Sequence, residues 1–174
     1  DLGLKYPAGI DPVSTGDLLA ESFGPALAGE TESDSLDRLV LREGLRSRQT
    51  QMLRAYAKYM RQIGNSNSFG FIADTLLGNA EVTRRLVGLF EARFDPELAD
   101  EERARRSAQV KEELAAALEQ VPTLDADRLL PAFINLIEST LPTTYYLNRP
   151  YLSFKFSPGL IEGLPSPKPA YEIW

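Results

Sequence analysis

The sequence predicts a mainly α protein: a multi-helix body of five to seven helices with a small, hairpin-like β element at its C-terminal end. Two observations carry that class. Between residues 31 and 141, apolar side chains recur at i, i+3 and i+4, in segments separated by capping and stop residues. After Pro142 the spacing changes to two, in a stretch rich in aromatic and β-branched residues. The length of 174 residues suits about one domain, and 43% hydrophobic with 25% charged residues is an ordinary globular mix.

The elements follow in order. Gly3, Pro7, Gly9 and Pro12 make residues 1–15 read as an extended lead-in. A short helix over 17–28 carries Leu18, Leu19 and Phe23 on one face, so 1–30 form a linker-like first segment. A helix over 32–43 follows, with Leu36, Leu39 and Val40 in register and Gly44 as its stop. The clearest helix spans 46–63. Met52, Leu53, Tyr56, Tyr59, Met60 and Ile63 form its apolar stripe, and Arg46, Arg48, Arg54, Lys58 and Arg61 its opposite face. Gly64 sits where a C′ glycine belongs.

Ser66 or Ser68 caps a helix over 69–77, and Asn79 caps the next, over 80–94, with Glu81 at its positive end. Asp95-Pro96-Glu97 then signals a helix over 96–120, whose charged first half projects into solvent. There Glu101–Arg105 and Glu102–Arg106 are i,i+4 pairs. Pro122 ends that helix and Thr123 opens the last, which runs to about 140. Pro131 means either a start near Asp127 or a kink. Beyond Pro142, 143–147 read as strand-forming, and 151–156 alternate with Leu152, Phe154 and Phe156 on one face. Tyr171, Ile173 and Trp174 end the chain on apolar residues. They form either a terminal strand docked on its own domain or the start of an element whose partners lie outside this sequence. The expected divisions are thus 1–30, a helical domain over 31–141 and a β segment over 142–174.

Composition excludes several functions. Without cysteine there is no disulfide framework, thiolate nucleophile or Cys-ligated metal; without histidine the commonest general base and metal ligand are both gone. Nineteen basic against twenty-five acidic residues give a net charge of −6, which argues against a nucleic-acid or anionic-membrane binder. No apolar run approaches the roughly 18 residues of a membrane span, and no signal-peptide pattern is present, so the expected location is cytoplasmic.

Candidate chemistry is sparse. Arg42, Arg46, Arg48, Arg54 and Arg61 suit the solvated faces of amphipathic helices better than a phosphate or carboxylate site. Asp34 with Asp37, and Asp125 with Asp127, suit capping or solvation better than acid–base work. Tyr145 and Tyr146 fit core or interface packing better than stacking on a ligand. Neither the dinucleotide nor the P-loop glycine fingerprint occurs. No catalytic, cofactor-binding or metal-binding residue is therefore assigned. A stand-alone helical interaction module, docking a partner through an apolar helix face such as Met52, Tyr56, Tyr59 and Met60, remains the rival reading.

Four blocks in order carry a resemblance: SLDRLVLREGL at 35–45, LRAYAKYMRQIG at 53–64, LVGLFEARFDP at 86–96 and NRPYLSFKF at 148–156. The series resembles the large bacterial NAD-specific glutamate dehydrogenases, in the helical region just upstream of their catalytic core and running into it. The resemblance covers about residues 23–174. It implies a parent protein that oxidatively deaminates L-glutamate to 2-oxoglutarate and ammonia with NAD, as a multidomain homo-oligomer. It places ACT-like modules upstream, and the catalytic lysine segment and the NAD domain downstream. This chain is then a non-catalytic, structural or regulatory piece without cofactor of its own. Its partner is the rest of the same polypeptide, with neither nucleic acid nor membrane.

Overall fold

The computed structural model describes residues 12–174. Among these, seven α-helices precede a three-stranded antiparallel sheet of order β1-β2-β3. No described helix is long and apolar enough to cross a membrane.

The first helix, α1 (Pro12–Leu27), begins earlier than expected, inside the stretch read as extended. Phe23 does not face inward as expected: it is 47% exposed. The rest of the lead-in lies outside the described residues. A 3-10 turn at Ser35–Asp37 then leads into α2 (Arg38–Glu43). Asp34 and Asp37 form a reciprocal capping box: the Leu36 N–H donates to Asp34 Oδ1 at 2.9 Å and the Asp34 N–H donates to Asp37 Oδ2 at 3.1 Å. Gly44 closes α2 at φ +65°, a left-handed position that favours glycine.

The centre of the molecule is α3 (Ser47–Gln62). Its apolar stripe is core: Met52, Leu53, Tyr56 and Tyr59 are fully buried. Burial of one such aliphatic side chain stabilises by about 1.5–3 kcal/mol. Around α3 stand α4 (Phe69–Gly78), α5 (Ala80–Phe94) and α7 (Leu124–Ser139). Ser68 caps α4, accepting from the Phe71 N–H at 3.1 Å, and Thr123 caps α7, accepting from the Ala126 N–H at 3.4 Å. Asn79 departs from its expected role. Its Nδ2 donates backwards to the Thr75 carbonyl at 2.8 Å, closing α4 instead of capping α5.

The next helix, α6 (Asp100–Leu118), starts four residues later than expected, because Asp95 accepts from the Glu97 N–H at 2.9 Å and holds a turn. Its first half does not simply project into solvent. Arg103 donates to the carbonyls of Arg93 at 2.7 Å and Leu98 at 2.9 Å, pinning it to α5. Glu102 pairs with both Arg105 and Arg106, where the spacing suggested Glu101 for the former. Those hydrogen bonds hold the Glu102 carboxyl down at about 2. In α7 the helix runs from Leu124 through Pro131, so it does not start near Asp127.

Strand β1 (Thr140–Thr143) continues directly from α7, ahead of the expected strand, and Tyr145–Leu147 form a 3-10 turn instead. The cause is packing: Tyr145 must turn inward onto Phe90, at 4.9 Å between ring centroids. Strand β2 (Phe154–Phe156) buries Phe154 and Phe156 as alternation required. Strand β3 (Glu172–Ile173) pairs antiparallel with β2, so the terminal apolar run docks on its own fold.

Candidate functional site

Side chains of α3 form a seam that ties two distant stretches of chain together. On one side lies residue Arg54, read from periodicity as solvated. It is 6% exposed and clamped by two carboxylates. Its Nε donates to Asp34 Oδ2 at 2.6 Å, and its terminal nitrogen donates to Asp37 Oδ1 at 2.7 Å. Burial pulls the guanidinium pKa down, but the hydrogen bonds and charges of Asp34 and Asp37 outweigh it and leave the pKa above its ordinary value. One turn on, Lys58 pairs with Glu32. Residues 32–37 are thereby fastened to α3.

On the other side, Arg48 is also no free surface cation. Its guanidinium donates to the carbonyls of Thr144 at 3.4 Å, Tyr145 at 3.2 Å and Arg149 at 3.3 Å, with its centre 5.6 Å from the Tyr145 ring centroid. A planar fork with five donors suits this gathering of carbonyls around a tight turn. Tyr59 stacks on Phe156 at 4.2 Å and donates its hydroxyl to Glu172 at 2.8 Å. Burial first, and then the Glu172 carboxylate, push the Tyr59 phenol upward. Gln62 accepts from the Trp174 indole N–H at 2.7 Å. Tyr56, packed 4.7 Å from Phe154, shares a 2.8 Å hydrogen bond with Thr140, and burial pushes its phenol strongly upward.

Of the residues singled out from sequence, Asp34 and Asp37 meet, but on Arg54 and as caps. Asp125 and Asp127 stay exposed in the first turn of α7, where they favour its dipole. Arg42, Arg46 and Arg61 remain exposed as expected. Tyr145 is core, 7% exposed, and Tyr146 packs against it at 4.9 Å. Met52, Tyr56, Tyr59 and Met60 are 0–2% exposed and present no docking face. Arg48, Gln62, Thr140 and Glu172 went unnoticed in these roles. Their partners lie 84 to 113 positions away, and no local signal announces a pair that distant.

A cleft of about 240 Å³ opens on this seam between Arg48, Lys58, Pro150, Leu152 and Trp174. The three cations that line it, Arg48, Arg54 and Lys58, already hold partners. The arrangement positions chain segments; it sets no nucleophile beside a base.

Comparison with known proteins finds two matches, one on either side of residues 97–112. Residues 31–96 match the family described as glutamate dehydrogenase, helical motif 3, and residues 113–174 match the bacterial NAD-glutamate dehydrogenase, catalytic domain. Three relatives are each named NAD-specific glutamate dehydrogenase. That of Halomonas elongata is 40% identical over 160 residues, covering 88% of this chain and 10% of its own length. That of Pseudomonas aeruginosa is 35% identical over 184 residues, covering all of this chain and 11% of its own. That of Mycobacterium tuberculosis is 35% identical over 175 residues, covering 97% and 11%. The chain thus spans about a tenth of the length of these relatives.

Proposed function

We propose that this chain, similar along its length to bacterial NAD-specific glutamate dehydrogenases, is the junction between helical motif and catalytic domain in an enzyme of that kind. The whole protein then converts L-glutamate, NAD and water to 2-oxoglutarate, ammonia and NADH. The observation that carries the reading is the alignment of two successive matches, helical motif then catalytic domain, on one continuous chain.

The junction's role is structural or regulatory. Two elements of the seam support this. Arg54 and Lys58 hold residues 32–37, within the helical-motif match. Arg48, Tyr59 and Gln62 hold residues 144–174, within the catalytic-domain match. One rigid helix therefore grips both, and a displacement of either stretch is felt by the other. Holding a homo-oligomer together is a further task consistent with the exposed helix faces. ACT-like modules elsewhere in the same polypeptide would be the partners that such a coupling serves.

The described residues do not fit NAD. A dinucleotide pyrophosphate needs a glycine-rich turn from a strand into a helix N-terminus. Here Tyr145–Leu147 and Pro158–Leu160, both 3-10 turns, follow β1 and β2. No step of the reaction is assigned to this chain.

The test is NADH formation from glutamate. The 174-residue chain alone is expected to give none above a tag-only control, and turnover by it overturns the non-catalytic reading. The whole polypeptide is expected to be active.

A further inference from the structure

The two edges of the sheet are built differently. Strand β1 contains Pro142, and its register against β2 shifts between Thr140 and Thr143. A proline and a broken register both block the addition of a strand. Strand β3 has neither. The Phe154 N–H donates to the Trp174 carbonyl at 2.8 Å and the Trp174 N–H donates back to the Phe154 carbonyl at 2.9 Å. Phe154 and Trp174 are thus a hydrogen-bonded antiparallel pair. The next pair, Lys155 with Ile173, is then of the alternate, non-hydrogen-bonded kind. The N–H and C=O of Ile173 point away from β2. Among the described residues β2 is the only strand beside β3.

The side chains agree with an unfinished edge. Ile173 is 74% exposed and Tyr171 60% exposed. Lys155 covers Tyr171, its Nζ 3.9 Å from the ring centroid, on the sheet face opposite the buried Phe154 and Phe156. Natural edges are blunted by charge, proline or a bulge, because an open apolar edge invites aggregation. Ile173 offers none of these.

We infer that Ile173 is the ladder residue for a fourth strand, supplied by the same polypeptide from the part of the catalytic domain outside residues 113–174. This rests on the dehydrogenase reading. Strands β1 to β3 all fall within the catalytic-domain match, and about nine-tenths of the relatives' length lies outside this chain. That remainder is the covalently attached source of the strand, present at high effective concentration.

The test uses the whole polypeptide. Site-resolved amide exchange is measured at Ile173, at Trp174, whose N–H is paired inside this chain, and at Gly163 in an exposed loop. Ile173 is expected to exchange within about tenfold of Trp174 and at least about 100-fold slower than Gly163. Exchange at the Gly163 rate overturns the proposal. The source of the strand is read by cross-linking from Lys155 in oligomers assembled from light and heavy isotope-labelled subunits. Cross-links within one subunit are expected, and light-to-heavy cross-links would assign the edge to a second copy and overturn it. NADH formation by the same preparation separates the two readings. An active dehydrogenase with an unprotected Ile173 refutes the fourth strand alone, whereas an inactive protein refutes the dehydrogenase reading whatever Ile173 shows.

Discussion

Among the described ion pairs, those of Arg54 with Asp34 and Asp37 are the most buried. The arginine side chain keeps 7% of its surface, the two aspartates 22% and 28%. Breaking such a cluster leaves a poorly hydrated charge behind. Arg54→Met is expected to cost about 3 kcal/mol in urea unfolding, at the low end for a buried pair because the stranded carboxylates retain some water. Arg54→Lys should recover only part, since an ammonium cannot span both carboxylates as the fork does. Tyr56 is a second case. Tyr56→Asp should abolish cooperative folding by placing a charge in a fully buried site. Tyr56→Phe should cost only about 1 kcal/mol, because Thr140 still donates to the Leu136 carbonyl. Tyr56, Tyr59, Tyr145 and Tyr146 all have phenols pushed upward, burial being the leading cause. For these groups the folded state holds its protons longer than the unfolded state. Their contribution to stability is complete below the unfolded pKa of about 10 and is lost as pH rises above it. The phenolate absorbance contributed by these four tyrosines is therefore expected to appear together with the loss of circular dichroism in alkali. Ionisation of these four tyrosines well before unfolding would contradict their burial.

At the scale of elements, apolar periodicity told which segments are helices, and the caps at Gly44, Ser68 and Thr123 told where several begin or end. Ambiguity arose where two elements compete for one residue. Asn79 has the chemistry to cap α5 but lies within reach of the free carbonyls of α4, and it serves those. The residues 143–147 have strand propensity, yet Tyr145 is claimed by Phe90 and the chain turns early. Pro131 was ambiguous for another reason. Flanking residues with strong inward packing, Leu130 and Phe133, keep α7 continuous across a missing hydrogen bond. Because Pro131 is itself exposed, Pro131→Ala restores that bond without disturbing the core. It is expected to stabilise the chain by about 1–3 kcal/mol in thermal unfolding. The seam was the least legible element. Periodicity sorts α3 into an apolar and a polar face, but not into cations that meet solvent, such as Arg61, and cations that meet another segment, such as Arg48 and Arg54. Arg48→Met should leave the α3 core intact and accelerate amide exchange through 144–153 several-fold, a local loosening without global unfolding.

For the molecule as a whole, α3 packs among α4, α5 and α7 and holds residues 32–37 and 144–174 against itself. Composition alone excluded cysteine and histidine chemistry, but it offered no positive function. That came from four ordered sequence blocks, and the matches to a helical motif and a catalytic domain fall on either side of residues 97–112. The seam connects those two stretches, and in the proposed reading this is how the chain bears on a reaction carried out elsewhere in the polypeptide. The central claim is that this chain is a non-catalytic junction within an NAD-specific glutamate dehydrogenase. Its most direct test is the rate of NADH formation from L-glutamate and NAD, measured on the whole polypeptide and on the 174-residue chain at equal molarity. The account predicts turnover by the former and none by the latter. Turnover by the short chain, or none by the whole protein, would contradict it.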